Sequence, residues 1–115
     1  MDDKQFHILF VDASRDDNRD TFVSDYALST LWGDELGDTV SDEVFAERIE
    51  LCGRVWDLAH MSVKDIRQAT GLSQARFAER FCIPRRTVED WEAKGSAPGY
   101  VRLMLAELCG LADWH

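Results

Sequence analysis

Residues 72–92, LSQARFAERFCIPRRTVEDWE, constrain this chain more than any other part of it. Ser73 stands just ahead of an apolar-periodic run, where its hydroxyl can accept from an N–H left open at a helix start. Pro84 suits the opening of a second helix, because its missing N–H costs nothing there. Between the two helices, Cys82 and Ile83 leave room only for a tight turn. Two short helices are therefore expected almost end to end, over residues 74–81 and 84–93. Phe77, Ala78, Ile83, Val88 and Trp91 can close one small core between them. Ala78 is small where the helices must cross, and a larger side chain would push them apart and misaim the second helix.

The flanking segments carry their own punctuation. Ser62 and Asp65 make a capping-box pattern that opens a helix through about residue 70, and Gly71 ends it. A Gly- and Pro-containing loop over residues 95–99 precedes a last amphipathic helix over 100–108. Upstream, Ser41 can cap a helix whose first turn holds Asp42 and Glu43, where the helix dipole favours negative charge. Phe45, Ile49, Cys52, Trp56 and Ala59 follow at helical spacing and require a partner surface. Packing against the later helices is the expected arrangement. Gly53 costs that helix roughly 1 kcal/mol relative to Ala, unless it marks a close contact.

Earlier still the signals are weaker. Residues 6–11, FHILFV, are rich in β-formers and read as a short strand, followed by a polar loop over 12–18. Phe22, Tyr26 and Ser29 give helical spacing within 20–32, and the glycines and acids of 33–38 suggest a boundary. The expected organisation is an acidic N-terminal arm over 1–40 (a strand plus a helix) and a helical domain over 41–115. The fold class is thus mainly α, with a short N-terminal β element.

Charge divides the chain in the same sense. The net charge is −9, which opposes binding to a polyanion. Yet residues 1–61 hold five Lys/Arg against fifteen Asp/Glu, whereas 62–115 hold eight against seven. The acidity belongs to the first half, and such asymmetry suggests two functional parts. The three cysteines are widely spaced, without a CxxC pair, and the three histidines are scattered. No metal or cofactor is expected, and reduced thiols fit a cytoplasmic protein. Neither a signal peptide nor a membrane span is read. Asp12, Asp16, Asp17 and Asp20 lack the spacing of a calcium loop, and no nucleophile–base pair or phosphate loop is apparent, so an enzyme is not expected. Trp56 and Trp91 read as core, His60 as a helix-end residue, and Trp32 or Trp114 as candidates for an interface.

The LSQxxFA start, the turn, the Trp91-Glu92 pair and the later proline together resemble the Xre/Cro family of phage-repressor-like domains, over about residues 62–109. The resemblance implies a lambda-repressor-like helix-turn-helix bundle whose second motif helix enters the major groove of double-stranded DNA. It implies base contacts from Arg85, Arg86 and Asp90, phosphate contacts from Gln74 and Thr87, and a structural pair between Arg67 and Glu92. The chemistry agrees, since an arginine can bond guanine O6 and N7 together. Asp90, four residues after Arg86, is expected to hold that arginine in place. Two positions depart from the family pattern. Cys82 stands where glycine is frequent, and a left-handed residue there would cost about 1–2 kcal/mol, so a reshaped turn is expected. Lys94 also stands where glycine is usual, so the next loop is expected to differ.

These readings describe a DNA-binding transcriptional regulator, a repressor occupying an operator as a homodimer. One expected dimer contact pairs the strand over 6–11 with its twin. The alternative is an antitoxin-like or adaptor protein that binds a toxin or other protein through its acidic half.

Overall fold

The computed structural model describes residues 1–33, 40–112 and 114. Their regular elements are all helical: α1 (Asp3–Arg15), α2 (Arg19–Ala27), a 3-10 turn (Thr30–Trp32), α3 (Asp42–Ala59), α4 (Val63–Thr70), α5 (Gln74–Arg80), α6 (Arg85–Lys94) and α7 (Gly99–Leu108). Two compact units arise, Met1–His60 with Asp113–His115, and Met61–Ala112.

The expected strand over 6–11 is instead the middle of α1, and no β element occurs among the described residues. The cause lies at the first turn. Asp2 Oδ1 accepts from the Gln5 N–H at 2.7 Å, and Gln5 Oε1 accepts from the Asp2 N–H at 3.0 Å. That reciprocal capping box satisfies two open donors and starts the helix. Burial then follows the helical period: Phe6, Leu9 and Ala13 face inward. A strand that buried Phe6 would also bury Ile8, yet Ile8 is exposed and Leu9, three residues after Phe6, is fully buried. The β-formers are core residues of a helix. The polar loop expected from residue 12 accordingly begins only after Arg15.

α2 is shorter than the helix expected over 20–32. The Ser29 hydroxyl donates to the Tyr26 carbonyl at 2.8 Å and accepts from the Leu31 N–H at 3.3 Å, which diverts the chain into the 3-10 turn. Gly33, at φ 81°, closes that turn. The rest of the loop expected over 33–38 lies outside the described residues.

α3 packs with α1 and α2. The first compact unit thus runs through His60 and includes α3. The physical reason is visible along α3. Its buried residues Cys52, Val55, Leu58 and Ala59 share one unit with the buried Phe6, Leu9, Phe22 and Val23 of the helices it packs with. Polar side chains then tie α3 to the end of α1 and the start of α2. Trp56 Nε1 donates to the Asp16 carbonyl at 2.8 Å, and His60 Nε2 lies 2.7 Å from the Ala13 carbonyl. Arg19 makes two bonds to Asp57, at 2.8 and 3.1 Å. Gly53 makes room for that arginine, since a Cβ there would lie 2.5 Å from Arg19 Nη2.

Neither tryptophan of uncertain place is left idle within this unit. Trp32 Nε1 donates to the Tyr26 carbonyl at 2.9 Å, with Arg48 over its ring, and Trp114 stacks on Phe6 at 3.9 Å. The Tyr26 hydroxyl donates to Asp12, and that bond, aided by burial, pushes its pKa up to about 12. Burial likewise pushes the Cys52 thiol up to about 11, as expected of an inert core cysteine.

The second unit surrounds a core of Val63, Ile66, Phe77, Ala78, Val88, Ala97, Leu105 and Ala106. Ser62 and Asp65 form the capping box at the start of α4, with bonds of 3.0 and 3.1 Å. Gly71, at φ 74°, ends that helix. Arg102 on α7 donates to the Met61 carbonyl at 3.0 Å.

Candidate nucleic-acid interface

The interface is built on α5, its turn and α6. Ser73 caps α5 by accepting from the Arg76 N–H at 3.2 Å. At the other end the chain reverses through two crossed bonds. The Ile83 N–H donates to the Ala78 carbonyl at 2.9 Å, and the Cys82 N–H donates to the Glu79 carbonyl at 3.3 Å. These are the two bonds of a Schellman motif, which places a left-handed residue just past the helix end. Cys82 is that residue, at φ 54°. The turn is therefore not reshaped. It keeps the geometry that favours glycine and accepts the steric cost of a side chain, about 1–2 kcal/mol.

Pro84 then starts α6 without a side-chain cap. Its carbonyl accepts from the Thr87 N–H at 2.9 Å, which begins the helical ladder. Val88 is fully buried and fixes the rotation of α6, which packs with α5. One helix face is thereby committed to the core, and Arg85, Arg86, Glu89 and Asp90 are left exposed. Gly95, at φ 61°, ends α6 one residue beyond the family position, so Lys94 continues the helix and is accommodated without strain.

Arg67 and Glu92 lock α4 to the end of α6. Arg67 Nε and Nη2 each donate to a Glu92 oxygen at 2.9 Å, and Nη1 donates to the Leu72 carbonyl at 3.0 Å. The side chains are only 16% and 6% exposed, so this pair is shielded from solvent. Arg67's hydrogen bonds hold the Glu92 carboxyl below its usual range, against the opposing effect of burial. The Gln74 side chain pushes the same way, which places it beside Glu92. Gln74 is accordingly half-buried at the first residue of α5, and Thr87 is half-buried on α6.

One expected contact is replaced by another. Among the described residues no bond joins Arg86 to Asp90, whereas Arg85 Nε donates to Glu89 Oε1 at 3.0 Å. Glu89 was not singled out from the sequence. The signal was present, because Glu89 stands four residues after Arg85 as Asp90 does after Arg86.

Residues 63–111 match the family described as helix-turn-helix. This segment is an Xre/Cro-type helix-turn-helix domain, a lambda-repressor-like fold that suggests DNA binding and belongs to a typically non-enzymatic family. No curated protein and no solved structure matches the chain. No helix among the described residues is long and apolar enough to cross a membrane.

Proposed function

We propose that the protein is a sequence-specific transcriptional regulator that represses by occupying a double-stranded DNA operator, with α6 in the major groove. The observation that carries this reading is the exposure of Arg85, Arg86 and Asp90 on a helix whose inward side is held by Val88. A groove about 12 Å wide admits such a helix, and its leading arginines suit guanine edges. Gln74 and Thr87 then serve adjacent phosphates, which fix register without reading sequence.

One recognition helix reads one half-site, so the reading includes a homodimer. With residues 6–11 helical, the strand pairing considered above is withdrawn. The surface now favoured for a second copy is α7, where Tyr100, Met104 and Leu108 are 69%, 59% and 69% exposed at successive i,i+4 positions. That apolar stripe shares a unit with α6, so pairing through it would set the spacing of two recognition helices.

A protein-binding role of the antitoxin or adaptor kind is the second reading. It is favoured by the first unit having a core of its own and an acidic sequence, features that DNA contact does not use.

Selection of bound duplexes from a random pool tests the first reading. A defined motif is expected, lost when Arg85→Ala and Arg86→Ala are combined. Absence of duplex binding at low salt, or an unchanged motif in that double variant, would overturn it. Light scattering that finds only monomer, free and on the selected DNA, removes the dimer.

A further inference from the structure

We infer that Glu89 is a positioning residue for Arg85 and thereby sets base preference at one operator position. The inference rests on the DNA-reading function above and names a residue that the function did not use. Arg85 Nε donates to Glu89 Oε1 at 3.0 Å across one helical turn. An arginine presents its N–H groups in a planar fork, so fixing Nε fixes the plane in which Nη1 and Nη2 point. Guanine offers O6 and N7 as two acceptors on one edge, and recognising both requires that plane to be set before contact. A long side chain that is 65% exposed otherwise samples many rotamers, and ordering it opposes binding.

Stabilising the fold is a poor account of this pair. Both side chains are substantially exposed, 65% and 46%, where ion pairs contribute little. The order is also the less favourable one, with the cation toward the helix N-terminus and the anion four residues later. Nor does Glu89 belong to the core, since Val88 occupies the inward position beside it. A carboxylate on the groove-facing helix opposes phosphates, so its useful role there is to orient a cation.

The test is competition binding on the selected operator, with all four bases tried at each position. Wild type, Arg85→Ala, Glu89→Ala, Glu89→Gln and the Arg85→Ala/Glu89→Ala double variant are compared. Glu89→Ala is expected to reduce discrimination roughly tenfold at the position where Arg85→Ala acts, as for loss of a coupled contact. The double variant should discriminate no worse there than Arg85→Ala alone. Glu89→Gln, which keeps an acceptor oxygen, should restore part of the preference while thermal stability stays unchanged across the set.

Three outcomes overturn the inference. Loss at a different base position, additive with Arg85→Ala, would make Glu89 a reader in its own right. Uniformly tighter binding with unchanged preference would reduce it to a repulsive charge. A wild type that selects no sequence would remove the DNA-reading function and this role with it.

Discussion

The two units solve the same problem, packing short helices, by different chemistry. In Met1–His60 the helices are joined by side chains that reach main-chain carbonyls, Trp56 to Asp16, His60 to Ala13 and Trp32 to Tyr26. In Met61–Ala112 an apolar core is supplemented by the shielded Arg67–Glu92 ion pair, whereas the two-bonded Arg19–Asp57 pair of the first unit is half-exposed. Charge separates them further. The first unit with its terminal residues holds five basic and sixteen acidic residues, the second eight and six. A planar, two-bonded pair shielded from solvent holds its two helices more firmly than a half-exposed pair of the same geometry.

The largest break in that comparison is expected from Arg67→Ala. It leaves the Glu92 carboxylate shielded and unpaired, a loss of about 3 kcal/mol for a buried pair. Urea denaturation followed by circular dichroism should show it, and a loss under about 1 kcal/mol would mean that the lock is dispensable. The same pair predicts a pH dependence. Because the folded Glu92 pKa is depressed, its stabilisation is complete above the ordinary value near 4.5 and disappears as pH falls through the folded value. The stability gap between wild type and Glu92→Gln should therefore close on acidification below pH 4.5. A gap independent of pH would contradict the shift.

Cys82→Gly is expected to act in the opposite direction, raising stability by about 1 kcal/mol as left-handed strain is relieved, less the extra chain entropy of glycine. A lowered melting temperature would show that the side chain contributes more than its backbone costs. In the first unit, Asp2→Ala removes the α1 capping box and should cost about 1 kcal/mol, with reduced helicity by circular dichroism. No change would return residues 6–11 to an uncapped description. The smallest effect belongs to Gly53→Ala. Its gain in helix propensity, about 1 kcal/mol, is offset by displacing Arg19 from Asp57, a half-exposed pair, so the net should stay within about 0.5 kcal/mol. A loss beyond 2 kcal/mol would mean that the Arg19 side chain cannot yield.

What could be read from the sequence follows from how local each signal is. Ser62, Ser73, Pro84 and Gly71 act within a few residues of their own helix ends, so α4 to α6 were legible within a residue or two. The Arg67–Glu92 lock came only through the family resemblance, since no local rule joins positions 25 apart. α1 was misread because β-branched and aromatic content was weighed above the Asp2–Gln5 spacing, itself a local signal. The partner of α3 was not legible. An amphipathic stripe states that a surface is needed, not which one, and the stripe itself was drawn slightly off: Val55 and Leu58 are buried while Ile49 is 38% exposed. Glu89 was missed by applying one spacing rule to Asp90 alone.

The Schellman turn at the end of α5 has a twin at the end of α7. There the Leu111 N–H reaches the Ala106 carbonyl at 2.8 Å, the Gly110 N–H reaches Glu107 at 3.1 Å, and glycine holds the left-handed position at φ 74°. One backbone design thus occurs relaxed in α7 and strained in α5. In terms of motion, the strained copy is where opening is easiest, so the amides of Cys82 and Ile83 should exchange with solvent deuterium sooner than those of Gly110 and Leu111. The joint that orients α6 is then also a place where the domain breathes.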